Sequence, residues 1–177
     1  HGFASFGIAA ATALPLRSDS VDTFVTLETL EHINYPRDFV AEVARVLKPS
    51  GVTVLSTPNR PVNSPFGVRN PYHISEMSMR ETADLLAEHF NKIQTYGQCM
   101  VSPRDWKYYG HKLSAILPVG FRRPVVSFVR RILRRPDGIH DTAAIDSDDE
   151  AVMVPVEDIE HGRPRVSVFV CREPRMR

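Results

Sequence analysis

The stretch LETLEHINYPRDFVAEVARVLKPSG, residues 27–51, carries the clearest structural pattern in the chain. Between Pro36 and Leu47 its apolar residues recur at the spacing of one helical face, and proline suits the first turn of a helix. The Lys-Pro-Ser-Gly sequence that follows is typical of a helix end. The pattern therefore predicts an amphipathic helix that begins near Pro36 and is preceded by the polar turn LETLEHI.

Strands are predicted on both sides of this helix. The segment VDTFVTL (21–27) lacks the alternation of a strand with one exposed face, so we expect it to be buried on both faces. A second helix, over residues 78–90, opens with Ser78 and Glu81 at the spacing of a capping box. Strands are predicted at residues 4–10, 21–27, 52–56, 92–100 and 165–172. This alternation of strands and helices predicts an α/β fold with an open, doubly wound sheet.

The length of the chain predicts a single domain over residues 1–177. Residues 1–99 are expected to form its core of strands and helices, and residues 165–177 a closing strand and tail. Between them, residues 100–164 are expected to form a helical insertion and then a mobile acidic loop, the loop covering residues 136–164.

The composition argues against several classes of protein. The 22 basic and 21 acidic residues nearly cancel, so nothing indicates a nucleic-acid partner. Cys99 and Cys171 lack the spacing of metal ligands and favour a reducing compartment over a disulfide scaffold. No apolar run reaches the roughly 18–20 residues of a membrane span. These features together predict a cytoplasmic protein.

The ligand site is predicted at one edge of the sheet. Open α/β sheets bind ligands beyond the carboxyl ends of their strands, which points to residues 10–14, 27–33 and 57–74. The sequence contains no G-x-G, Walker A or G-x-S-x-G motif, so neither a phosphate-binding loop nor a serine nucleophile is predicted. Its histidines, cysteines and acids also lack zinc-ligand spacing, and no metal site is predicted.

Several motifs in a fixed order carry a resemblance to a known family. Within residues 10–59, a small-residue turn and LPLRSDS are followed by the apolar strand, LETLEHI, the helix, ARVLKPSG and a strand that ends in STPN. This order resembles the central part of class I S-adenosylmethionine-dependent methyltransferases of the type 11 group. NPYHISEMSMRETADLLAEHF (70–90) resembles the substrate-side loop and helix of members that often act on sugars or glycan-linked substrates.

The resemblance implies a fold, a cofactor and a set of residues that bind it. The fold would be a Rossmann-like, mostly parallel sheet with an antiparallel last strand and a helical insertion before that strand. The cofactor would be S-adenosylmethionine, which becomes S-adenosylhomocysteine. The implied cofactor contacts are Ala10, Ala11, Thr12, Leu27, Glu28, Thr29 and His32.

Two departures from the family pattern stand out. The glycine-rich first loop of the family is absent from the sequence, so we expect the fold as given to be N-terminally incomplete, with that loop upstream of His1. Ala10 stands where the family usually carries an acid that binds the adenine amino group. Adenine would then depend on backbone groups of Ala11 and Thr12.

Two histidines are candidates for a general base, because the imidazole pKa lies near neutrality. His32 follows the first apolar strand and could equally be a partly buried side chain that bonds to backbone. His73 could equally anchor its own loop. The resemblance places Asn59, Tyr72 and His73 on the substrate side, although Tyr72 could also pack as an ordinary aromatic residue.

A basic amphipathic helix is predicted outside the family pattern, in FRRPVVSFVRRILRRP (121–136). Three interpretations stay open. Residues 124–135 could contact an anionic membrane surface, form a lid whose arginines meet a phosphate or carboxylate, or form a solvated surface helix.

The resemblance implies methyl transfer from S-adenosylmethionine to a small-molecule or glycan-type acceptor. Oxygen is favoured over nitrogen or carbon as the methylated atom. The alternative is a degenerate methyltransferase fold that serves as a non-catalytic binding or dimerisation module.

Overall fold

The computed structural model describes residues 4–64, 67, 70–101, 153–158 and 163–175. The strands are β1 Val21–Leu27, β2 Leu47–Pro58, β3 Phe90–Val101, β4 Val154–Pro155 and β5 Arg163–Pro174. The helices are α1 Pro36–Val46, α2 Arg60–Asn63 and α3 Met79–Ala87, and short 3-10 turns lie at Leu30–His32 and Val156–Asp158.

The strands form a single five-stranded sheet in the order β1-β2-β5-β3-β4. β1 and β2 are parallel, whereas β5 lies between β2 and β3 and is antiparallel to both. β1, β2 and β3 therefore run in one direction. This arrangement confirms the predicted open α/β sheet with an antiparallel last strand.

Helix α1 forms because its apolar stripe has a sheet face to cover. Phe39, Val40 and Val43 are buried on that stripe, as the spacing predicts. They join one core cluster with Leu86 of α3 and Phe169 of β5. Burial of such side chains contributes roughly 1.5–3 kcal/mol each.

The Lys-Pro-Ser-Gly sequence does more than end the helix. β2 begins at Leu47, directly after α1, and so includes these residues. A Cβ atom at Gly51 would lie 2.9 Å from the carbonyl oxygen of Lys48 and 3.1 Å from that of Val21. Any side chain at this position would therefore press against the backbone where β2 passes β1.

Two strand predictions need correction. β1 is not buried on both faces, since Val25 and Leu27 remain 59% and 58% exposed. In the described part of the sheet β1 is an edge strand that pairs with β2 alone. Residues 4–10 do not form a strand, because only Ala10 pairs, in an isolated bridge to Ala13.

The extent of the predicted acidic loop is also wrong. Residues 154–155 pair with β3, a 3-10 turn follows, and β5 already begins at Arg163. The predicted helical insertion and the basic helix at 124–135 lie outside the described residues. None of the helices in the described ranges is long and apolar enough to cross a membrane.

Cys171 is the buried cysteine of the described residues. It is a free cysteine inside β5, and burial raises its pKa to about 12. The side chain of Cys99 lies outside the described set.

The capping box of α3 gives a test of the fold. Ser78 accepts a hydrogen bond from the backbone of Glu81, whose carboxylate accepts one from the backbone of Ser78. Ser78→Ala should lower the free energy of unfolding by about 1 kcal/mol, since a helix donor loses its acceptor. Urea denaturation measures this loss, and Ser50→Ala, at an exposed position of β2, is the control. Equal stability of both variants would contradict the assigned cap.

Candidate functional site

Two loops meet at the carboxyl edge of the sheet, one after β1 and one after β2. The backbone nitrogens of Ile74 and Ser75 donate to the carbonyl oxygen of Glu31 at 2.8 and 2.9 Å. The Ser75 hydroxyl also lies 2.8 Å from the carbonyl oxygens of Leu30 and Ile33. The predicted meeting of these two segments at one edge is therefore observed.

This junction brings the two candidate histidines together. The rings of His32 and His73 lie edge to face, with centroids 5.1 Å apart. His32 Nδ1 lies 2.7 Å from the carbonyl oxygen of Tyr72, which can only accept. His32 therefore donates from Nδ1 and keeps a lone pair on Nε2 when neutral.

The hydrogen bonds of His73 define its tautomer in the same way. Its Nδ1 lies 3.0 Å from a carboxylate oxygen of Glu76, and its Nε2 lies 3.0 Å from Asn70 Nδ2. The Asn70 amide is oriented by its Oδ1, which accepts from the backbone of Tyr72. Neutral His73 therefore donates to Glu76 and accepts from Asn70 at Nε2.

Two buried carboxylates lie beside the imidazoles. The side chains of Glu31 and Glu76 are 1% and 3% exposed. Glu31 Oε2 accepts from the Thr57 hydroxyl at 3.1 Å, and Glu76 Oε2 accepts from the Ser64 hydroxyl at 2.7 Å. Sequence reasoning missed Glu76, although its position three residues after His73 was the available signal.

Glu28 directly follows β1 and has an unusual backbone conformation. Its φ of 48° lies in the left-handed region, which costs a non-glycine residue about 1–3 kcal/mol. Its backbone N–H lies 3.1 Å from the carbonyl oxygen of Ser56, and the Ser56 hydroxyl donates to its carboxylate at 2.8 Å. Burial raises the pKa of Glu28, the Ser56 bond opposes that shift, and the nearby charge of Glu31 adds to it.

The other residues expected to hold the cofactor lie at the end of β1 and in two turns. Leu27 and Thr29 flank Glu28, and Leu27 is exposed whereas Thr29 is partly buried. Ala10, Ala11 and Thr12 form a turn closed by a hydrogen bond from Ala13 to Ala10, and the backbone of neighbouring Leu14 bonds to Glu42 of α1 at 2.7 Å. The described hydrogen bonds thus fix this turn against α1.

Tyr72 and Asn59, the other two residues predicted to lie on the substrate side, have different surroundings. The Tyr72 ring is exposed at the rim and is not packed. Asn59 is buried, and its amide accepts from the backbone of Met79 and donates to the carbonyl of Pro164. Both ends of the Asn59 amide serve the backbone, so its role as a substrate contact stays a prediction without geometric support.

A polar cavity of about 290 Å³ opens beside His73. Its wall combines carboxylate, amide, hydroxyl and imidazole groups with the apolar side chains of Pro58 and Val166. The lining residues are Glu28, Pro58, Asn63, Ser64, Asn70, His73, Glu76, Arg165 and Val166. Such a wall can hydrogen-bond a small polar ligand from several sides.

Comparison with known proteins finds similar sequences over part of this chain. Residues 2–55 match the methyltransferase domain family. A probable S-adenosylmethionine-dependent methyltransferase of Mycolicibacterium smegmatis is 43% identical over 75 residues, which are 41% of this chain and 29% of that protein. A similarly named protein of Mycobacterium tuberculosis, Rv3030, is 42% identical over 77 residues, 42% of this chain and 28% of its own length. The chain thus spans under a third of these relatives.

Solved structures agree on the fold. A SAM-dependent methyltransferase of Thermotoga maritima aligns over 93% of this chain and 62% of its own, with a TM-score of 0.56 and 14% identity. One from Archaeoglobus fulgidus aligns over 90% and 62%, with a TM-score of 0.50 and 10% identity. Residues 2–55 thus resemble a methyltransferase domain, and the fold of this chain is similar to that of solved SAM-dependent methyltransferases.

Proposed function

We propose that the protein transfers a methyl group from S-adenosylmethionine to a hydroxyl group of a small-molecule or glycan-type acceptor. The observation that carries this proposal is the pair of His73 and Glu76 on the wall of the polar cavity. A buried carboxylate that holds one nitrogen of an imidazole leaves the other nitrogen to take a proton.

The residues at the carboxyl edge fit the chemical nature of the cofactor. S-adenosylmethionine supplies an electrophilic methyl group on a positively charged sulfonium. Leu27, Glu28, Thr29 and His32 would hold its methionine side, where exposed apolar surface lies next to carboxylate and imidazole groups. The small-residue turn Ala10–Thr12 would hold its adenine side, because Ala10 and Thr12 are exposed and the turn carries no bulky side chain.

The cavity supports a hydroxylated acceptor. Glu28 and Glu76 provide carboxylate oxygens, and Asn63 and Asn70 provide amides that can donate and accept. A sugar presents several hydroxyl groups, each of which can donate to a carboxylate or exchange hydrogen bonds with an amide. The exposed Tyr72 ring at the rim offers an additional flat surface for a sugar ring.

His73 would act as the base in this reaction. The acceptor hydroxyl would take the place of the Asn70 amide at Nε2, and the acceptor oxygen would form its bond to the methyl carbon as the carbon–sulfur bond breaks. Nε2 receives the proton, while Glu76 accepts the hydrogen bond from Nδ1 and stabilises the resulting imidazolium. His32 lies against the ring of His73 and helps to fix its orientation.

Cofactor binding is the first test. Calorimetric titration with S-adenosylhomocysteine should show saturable 1:1 binding. Leu27→Asp should weaken this binding, since it replaces apolar surface with a charge at the proposed methionine side. The control is Leu16→Asp, which changes another exposed leucine that lies in the loop before β1. No binding by the unaltered protein at millimolar ligand would contradict the enzyme proposal and favour a non-catalytic module.

The second test separates the base from cofactor binding. His73→Ala should lower kcat by roughly 10²–10⁴-fold, the usual contribution of a general base. Its affinity for S-adenosylhomocysteine should stay unchanged. His89→Gln, which lines a different cavity with Ser18 and Pro174, is the matched control. Unchanged turnover of His73→Ala on a hydroxyl acceptor would remove His73 from the mechanism.

The third test concerns the charge of Glu28. The pKa of Glu28 is raised in the folded protein, so the folded state binds the proton more tightly than the unfolded state does. Ionisation of Glu28 therefore carries a penalty in the free energy of folding. This penalty is absent well below the unfolded pKa of about 4.5 and develops as pH rises through the raised folded value. Glu28→Gln removes it.

The stability of Glu28→Gln relative to the unaltered protein should therefore be greater at pH 7 than at pH 4. Urea denaturation of both proteins at the two pH values measures the difference. Glu173→Gln, at an exposed position of β5, controls for a general effect of charge. A relative stability that is equal at the two pH values, or that falls at pH 7, would contradict the raised pKa of Glu28.

A further inference from the structure

Glu31, His32 and His73 form a cluster that the proposed base mechanism does not require as a whole. One ligand-type atom from each residue lies within 4.8 Å of those of the other two. Glu31 Oε1 and His32 Nε2 are 3.8 Å apart, which is too far for a hydrogen bond. The three groups thus surround a common point without bonding directly to one another there.

Each of the three side chains is oriented by a hydrogen bond. His32 donates from Nδ1 to the Tyr72 carbonyl, and His73 donates from Nδ1 to Glu76. Glu31 accepts from Thr57 at Oε2, which leaves Oε1 on the side of His32. Metal-binding histidines and carboxylates in proteins are typically oriented by hydrogen bonds of this kind.

The burial of Glu31 is the feature that most favours a cation at this point. Its side chain is 1% exposed, and a buried carboxylate is costly unless it is paired. Among the described residues, the basic group within reach of this carboxylate is His32, at 3.8 Å. The neutral Thr57 hydroxyl supplies a hydrogen bond but no charge. A cation between Oε1 and the imidazoles would compensate this carboxylate.

We propose that Glu31, His32 and His73 bind a divalent transition-metal ion of the Zn²⁺ type. Two imidazole nitrogens and one carboxylate oxygen suit zinc and its neighbours, whereas calcium and magnesium favour sites made of oxygen atoms. Three protein ligands leave a fourth position for water or a substrate. Ligand atoms at about 2.0–2.1 Å from a tetrahedral zinc lie roughly 3.4 Å apart, so the side chains would have to draw together on binding the ion.

The ion would enter by a limited rearrangement of one side chain. Asn70 Nδ2 lies 3.0 Å from Nε2 of His73, and the ion would take its place. Asn70 is exposed in its loop and can turn away towards solvent. A bound ion would also occupy the lone pair that the proposed base uses. The metal-bound form and the base-competent form would therefore exclude each other.

Zinc titration tests this site without any measurement of turnover. The full chain, freed of metal with a chelator that is then dialysed away, should bind one Zn²⁺ in isothermal calorimetry. His32→Ala and Glu31→Gln should each weaken binding at least about tenfold, because each removes a ligand. His89→Gln should bind as the unaltered protein does, since His89 lies in a different cavity.

Two results would overturn the site: no saturable binding of Zn²⁺ by the unaltered protein, or equal binding by His32→Ala and His89→Gln. Because Glu31 is buried, Glu31→Gln is checked by circular dichroism, and the half-exposed His32 provides a variant that keeps the fold. Titration with S-adenosylhomocysteine on the same samples reports the proposed methyltransferase function separately. Either proposal can therefore fail while the other stands.

Discussion

The two backbone hydrogen bonds from Ile74 and Ser75 to the carbonyl oxygen of Glu31 hold the site together. They tie the loop after β2 to the 3-10 turn after β1, so two histidines far apart in the chain come into ring contact. The same bonds keep the Glu31 side chain under the loop and out of water. A change that loosened this junction would separate the imidazoles and expose the carboxylate at the same time.

The junction concentrates negative charge at one edge of the sheet. Glu28, Glu31 and Glu76 all lie beside the two imidazoles, and the charge of Glu31 adds to the raised pKa of Glu28. Such a surplus of carboxylates favours cationic ligands. Both the sulfonium of the proposed cofactor and the proposed metal ion are positively charged, so the electrostatics of the edge serve both proposals.

Local patterns in the sequence predicted local structure well. The apolar stripe gave the bounds of α1 to within one residue, and the Ser78–Glu81 spacing predicted the cap of α3. These features depend on neighbours three or four residues away, which the sequence displays directly. The exposure of β1 was predicted wrongly, because burial of a strand depends on which strands and helices lie next to it.

The site was harder to predict for the same reason. The sequence indicated that the segments around His32 and His73 lie at one edge, but not that the two rings touch. The spacing rules for zinc ligands apply to residues close together in the sequence. They do not detect a cluster such as Glu31, His32 and His73, whose members come from two loops. Glu76 was visible as a neighbour of His73, but its burial depends on Ser64 and the fold around it.

The position of β5 has a consequence for how the protein is made. β5 is translated after the other four strands, yet it lies between β2 and β3 in the finished sheet. Asn59 and Pro164, which bond across this region, are 105 residues apart. Until β5 emerges from the ribosome, β2 and β3 each have an unpaired edge that could recruit other chains. β2 and β3 are therefore joined through β5 only late in synthesis. Such long-range pairing is slow, and a chaperone would be useful until it is complete.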